Sequence, residues 1–311
     1  MKDYSDYSKV AARSDLQSEK WKVCFSFLEK EQAEFSSVAD SVCLDEYYKK
    51  WPKDSLYSWS RIWEYPYVYS QLDLRCRNLD GTERLKVVDF GAGVSFFPFS
   101  VAKFNVDLFC VDNDPVVVNI LKSIKSALTP GQSPGFGFRP IGAGNLPGVI
   151  NASSKYGPNN QITPVLVAND KLPFDDNSVD ILYSISVIEH LENWQNVISE
   201  FFRVLKKDSI CILTFDISLS EGHQLDTMNF MKFNASLMEK FELVLPEKSI
   251  HPCDLLTTGN SPFPYKDLPF ADKIKYSLKH RLFPFLLGRK PSPRLKPFCI
   301  GVQGLTIKPL K

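Results

Sequence analysis

Two acidic strand ends about twenty residues apart, the first running into a glycine loop, constrain this chain more than anything else in it. Lys86-Val87-Val88-Asp89-Phe90-Gly91-Ala92-Gly93 reads as a buried strand entering a tight turn. Leu108-Phe109-Cys110-Val111-Asp112-Asn113-Asp114-Pro115 reads as a second buried strand that ends on Asp112 before a new helix. An apolar run, glycines that let backbone approach a ligand, a helix start and a carboxylate at the next strand tip form a nucleoside-binding corner. The expected fold class is therefore α/β, a doubly wound and mostly parallel sheet.

The rest of the chain agrees with a folded enzyme-sized unit. Its 311 residues are 44% hydrophobic and 23% charged, enough for one large α/β domain with additions. A net charge of +1 gives no global attraction to nucleic acid, so any electrostatic partner must act through a local patch. The seven cysteines are odd in number and contain no CxxC pair, which argues for a reduced protein without a disulfide framework or a metal site. The polar start, Met1-Lys2-Asp3-Tyr4-Ser5-Asp6, lacks the apolar stretch of a secretory signal, and no run reaches the ~20 apolar residues of a membrane span. A soluble, cytoplasmic protein is the expectation.

Four segments follow from texture. Residues 1–84 hold four of the five tryptophans and read as a helical, aromatic-rich extension or lid. Residues 85–250 alternate strand and helix, with strands expected near 85–90, 108–112, 164–167, 179–184, 210–215 and 241–245. Ser95 is expected to cap one helix, and Asp114-Pro115 to start another. Residues 129–161 form a Gly/Pro/Ser/Asn-rich loop, long enough to suggest a function. Residues 251–298 are an insertion before a final strand within 299–311.

The set Val87–Val94, Leu108–Pro115, Leu172-Pro173-Phe174-Asp175-Asp176-Asn177-Ser178-Val179-Asp180, Val187-Ile188-Glu189-His190-Leu191 and Arg203-Val204-Leu205-Lys206-Lys207 occurs in that order. As a set it closely resembles the seven-stranded, class I S-adenosylmethionine-dependent methyltransferases, in the branch that handles small molecules. The resemblance implies a seven-stranded sheet of order 3-2-1-4-5-7-6 with strand 7 antiparallel. It implies S-adenosyl-L-methionine as cofactor, with Gly91, Ala92 and Gly93 around its methionine portion and Asp89 holding the loop or the amino group. Asp112 would accept the ribose hydroxyls, Asn113 would flank adenine, and Ser186 would add a contact. The family often places an acidic residue where Ala168 stands, so Asn169 or Asp170 is expected to take that role. The competing reading is that the glycines serve only the turn and that Asp112 caps local backbone.

No catalytic group is diagnostic. His190, Asp216 and His223 are the catalytic candidates by position, with a purely structural role as the stronger reading of His190. The strand-4 end reads Ser184-Ile185-Ser186-Val187, without the Asn-Pro-Pro-Tyr pattern of amide and nucleobase nitrogen methyltransferases. Aromatics from Trp59 to Tyr67 either pack the extension onto the core or cover the pocket, with Arg61 and Glu64 as polar contacts. Residues 266–296 carry nine Lys or Arg against two Asp and could meet a membrane surface or an acidic ligand, or be a solvated helix. Nucleic acid is disfavoured. The expected function is methyl transfer to a small-molecule acceptor, either a natural product or a glycan or lipid-linked precursor, by in-line displacement. The alternative is a scaffold that keeps the fold without turnover.

Overall fold

A computed structural model describes residues 3–39, 55–76, 84–104, 106–128, 162–167, 171–219, 225–264 and 299–311. The 129–161 loop, the basic 266–296 segment, Asn169, Asp170 and His223 lie outside the described residues.

Among the described residues, eight strands form one sheet. In chain order they are β1 (Lys9–Val10), β2 (Leu85–Phe90), β3 (Val106–Asp112), β4 (Ile162–Leu166), β5 (Val179–Ile185), β6 (Leu205–Ser218), β7 (Phe241–Leu243) and β8 (Ile300–Pro309). The spatial order β4-β3-β2-β5-β6-β8-β7 is the expected 3-2-1-4-5-7-6, with parallel pairing from β4 through β6 and β8 antiparallel to β6. The addition is β1, which pairs with β8 at Gly304 and Gln303, on the edge where β7 pairs further along at residues 307–309. The short, mixed sequence of Lys9-Val10 carries no strand signal of its own, so the pairing is a tertiary outcome.

The central strands are apolar on both sides because helices cover both faces. On one face lie α1 (Glu19–Ala39), α2 (Arg61–Cys76), α3 (Phe97–Val101) and α4 (Pro115–Leu128), packed around Trp63, Tyr67, Phe97, Leu121 and Tyr183. On the other lie α5 (Trp194–Val204) and α6 (Thr227–Met238), around Phe201, Phe215, Phe233 and Leu237. Asp114 caps α4 as expected, accepting the Val116 N–H at 2.9 Å ahead of Pro115. Ser95 does not start a full helix: α3 begins at Phe97 and lasts five residues, with the Ser95 hydroxyl only 3.3 Å from the Phe97 N–H. The helix ends at the Ala102 cap, only a few residues before β3 begins at Val106.

The aromatic extension is core. Pro66 sits inside α2 and cannot donate to the Ile62 carbonyl one turn back. The Trp21 indole N–H fills that vacancy at 2.9 Å, and the Pro66 carbonyl accepts from Tyr4 Oη at 3.1 Å. Trp63 and Tyr67 stack with 4.7 Å between centroids and lie over Gly304 of β8, where a Cβ would come within 2.7 Å of the Trp63 ring. Glycine in the strand is what lets α2 approach. Among the described residues no helix is long and apolar enough to cross a membrane.

Candidate functional site

The glycine loop lies at the carboxyl end of β2, where open α/β sheets place their ligands. Gly91 and Gly93 have φ of 73° and 54°, in the left-handed region that favours glycine. At Gly91 a Cβ would lie 2.4 Å from Val187 Cγ2, so packing as well as φ demands glycine there. The Gly91 and Ala92 N–H groups donate to the Val111 carbonyl at 2.9 and 3.1 Å and fix the loop against β3. Asp112, half-buried at the tip of β3, accepts the Gly93 N–H at 3.0 Å on one oxygen and the Asp114 N–H at 2.9 Å on the other. Each oxygen retains a lone pair for a ligand hydroxyl. Burial pushes its carboxyl up, and these backbone N–H groups oppose that. Asn113 beside it is exposed.

Asp89 is 4% exposed, deeper than a group held out to a ligand. Burial raises its carboxyl to about 8, the Asp112 charge adding to the shift and the nearby Tyr183 hydroxyl offsetting part of it. The Tyr183 hydroxyl faces it without closing a bond of normal geometry.

A second polar group stands where α2 crosses the ends of β5 and β6. Ser186, with φ of 50°, leaves β5 and donates to Glu64 Oε1 at 2.8 Å while accepting from Arg61 at 2.7 Å. Arg61 also pairs with the other Glu64 oxygen. Ser186 thus ties α2 to the strand ends; its side chain is half-buried beside the glycine loop through Val187. Glu189, in the single turn Ile188–His190, is 5% exposed; one oxygen accepts the Asp216 N–H at 3.1 Å and the other has no partner. One Asp216 oxygen is likewise buried without a partner. Burial pushes both carboxyls up, aided by the Asp216 and Glu64 charges at Glu189 and by the Glu64 charge at Asp216, where Arg61 opposes it.

Of the catalytic candidates, Asp216 stands in this group, whereas the His190 side chain is exposed. Glu189, which the sequence offers only as a member of the Val187–Leu191 segment and without a role of its own, joins Asp216 there. The Leu172–Asp176 motif has a structural use: Arg203 holds the Leu172 and Phe174 carbonyls at 2.9 and 2.8 Å and pairs with Asp176 and Glu200. Among the described residues no cluster suits a metal ion.

Residues 143–213 match the family model described as a methyltransferase domain, a span that begins downstream of the glycine loop. No curated protein sequence matches the chain. Among solved structures it is similar to the [4+2]-cyclase SpnF, at 14% identity, TM-score 0.46, over 83% of this chain and 84% of that one. It is also similar to the YcgJ protein from Bacillus subtilis, at 14%, 0.44, 77% and 98%. A Haemonchus contortus phosphoethanolamine N-methyltransferase 2 bound to S-adenosylhomocysteine gives 12%, 0.40, 82% and 58%. At these scores the likenesses carry no argument about chemistry. The sheet has the strand order expected of the class I methyltransferases, and residues 143–213 match a methyltransferase domain.

Proposed function

We propose that this protein transfers a methyl group from S-adenosyl-L-methionine to a small-molecule acceptor seated between α2 and the carboxyl ends of β5 and β6. The observation that carries the reading is the joint formed there by Arg61, Glu64 and Ser186 beside the glycine loop, flanked by buried carboxylate oxygens without partners. A nucleoside fits the first corner: Asp112 can accept two ribose hydroxyls on its free lone pairs, Asn113 reaches solvent beside it, and Gly93, whose N–H Asp112 holds, puts no side chain next to the carboxylate. When bound, the sulfonium supplies a methyl carbon already activated for displacement. The chain's own task is then to align the acceptor and keep water out, which the aromatic cover of α2 serves. Asp216, whose carboxyl burial pushes up to about 7, can take a proton from an acceptor that must lose one, with the Glu189 carboxyl, also pushed up by burial, beside it.

Calorimetric titration with S-adenosylmethionine and S-adenosylhomocysteine, with NAD as control, tests this. Micromolar binding of both sulfur compounds and none of NAD is expected. Binding of NAD in their place would sink the proposal, and tight cofactor binding with no transfer to any acceptor would favour the scaffold.

A further inference from the structure

Resting on that reading for its placement, the chemistry of the second corner specifies the acceptor. Five buried side-chain polar atoms lack a partner among the described residues. Three of them belong to Thr214, Glu189 and Asp216, toward the carboxyl end of β6 and in the turn after β5, while the Tyr183 hydroxyl faces Asp89. Thr214 and Asp216 are two residues apart on one strand and so share the sheet face that α2 covers. Buried polar atoms in folded proteins are nearly always satisfied, so a cluster of orphans marks a place where something else supplies the partners.

The missing partner's character follows from the charges. The groups facing the corner are Arg61 and Glu64 from α2, Glu189 from the turn after β5, and Asp216 from β6. Arg61 is held by Glu64 and Ser186, and burial keeps the Glu189 and Asp216 carboxyls toward their protonated forms. Each of these carboxyls carries one orphaned oxygen, so the corner has a proton to give up and lone pairs to receive N–H bonds. An anionic ligand brings neither a donor nor a positive charge, and a neutral hydroxyl leaves the proton where it is. An ammonium sends that proton to solvent and pairs with the carboxylate left behind. We propose that the acceptor is a small organic amine, held at Glu189 and Asp216 as an ammonium–carboxylate pair. Before transfer one N–H proton passes to the paired carboxylate, which frees the nitrogen lone pair to attack the methyl carbon as its bond to sulfur breaks.

The test uses benzylamine, benzyl alcohol and benzoate, which share a ring and differ in charge, and methylammonium against acetate for a smaller fit. Each is titrated calorimetrically at pH 7 into the full-length protein, with and without saturating S-adenosylhomocysteine, in phosphate and in HEPES. Amines should bind at least tenfold more tightly than alcohol or carboxylate, with heats that differ between buffers because protons leave the site. Glu189→Gln and Asp216→Asn should each cut amine affinity tenfold or more while leaving S-adenosylhomocysteine affinity within twofold. Equal affinity across the series, preference for the carboxylates, or no saturable amine binding in either set would overturn the inference. So would competition between amine and S-adenosylhomocysteine, which would assign the corner to the cofactor's own ammonium. The wild-type series stands even if a variant fails to fold. Failure of S-adenosylhomocysteine to bind would defeat the methyltransferase reading alone, because the amine titrations without it still report on this corner.

Discussion

Asp112 does two jobs that a single substitution would separate. Its carboxylate closes the loop through the Gly93 and Asp114 N–H groups, and in the proposed complex it also receives the ribose. Asp112→Ala should weaken S-adenosylhomocysteine binding by about 1.5–3 kcal/mol, as expected for lost charge-assisted hydrogen bonds. Calorimetry checks this, and unchanged affinity would leave Asp112 as a loop cap only. Gly91→Ala meets a 2.4 Å approach to Val187 at a φ of 73°, so a thermal melt should show a loss of roughly 1–3 kcal/mol. Asp89 gives a pH signature. Its carboxyl binds a proton more tightly folded, near 8, than unfolded, near the ordinary 3.8, so the folded state holds the extra proton between those values. Its contribution to stability is fully present below pH 4 and is lost as pH rises through 8. Denaturant titrations from pH 5 to 8 should show stability falling for the wild type and falling less steeply for Asp89→Asn, with Asp216 and Glu189 carrying the remaining slope.

At the scale of elements, α2 decides whether the second corner exists. It brings Arg61 and Glu64 over the strand ends, and its seat depends on the absence of a side chain at Gly304 beneath Trp63 and Tyr67. Gly304→Val should cost about 1–3 kcal/mol from overpacking and should loosen amine binding more than S-adenosylhomocysteine binding, both measurable on the same protein. Equal losses at both sites would mean that the strain spreads through the sheet and is not confined to the helix. The short α3 has the opposite lesson. A capped, full helix would have presented its N-terminus to a carboxylate, whereas five residues leave that task to the loop's own backbone.

Across the whole molecule, the two chain ends hold each other. β1 pairs with β8 and the buried Lys9 pairs with Asp15 at 2.5 Å, while Asp15 also accepts the Trp63 indole N–H at 2.8 Å. Removing one member leaves a buried charge without its partner, so Lys9→Met should destabilise by about 3–5 kcal/mol by denaturant melt. Replacing Lys9 and Asp15 together with apolar residues should recover much of that loss. A near-zero effect of Lys9→Met would show that the clasp is not required.

The sequence by itself determined the sheet and its first ligand corner, because long apolar strands, turn glycines and the Asp114-Pro115 helix start are local signals with one structural solution. It also named Asp112 and Asp216, whose placement at strand ends follows from the same alternation. Only the tertiary structure decided that Lys9-Val10 is a strand, that the tryptophan-rich extension is core, and that Glu64, Ser186, Glu189 and Asp216 converge. Those residues are separated by more than a hundred positions at their widest, and no local pattern encodes which distant carboxylates will share one buried corner. Their charge chemistry arises from desolvation and mutual repulsion, and both exist only once the chain has folded.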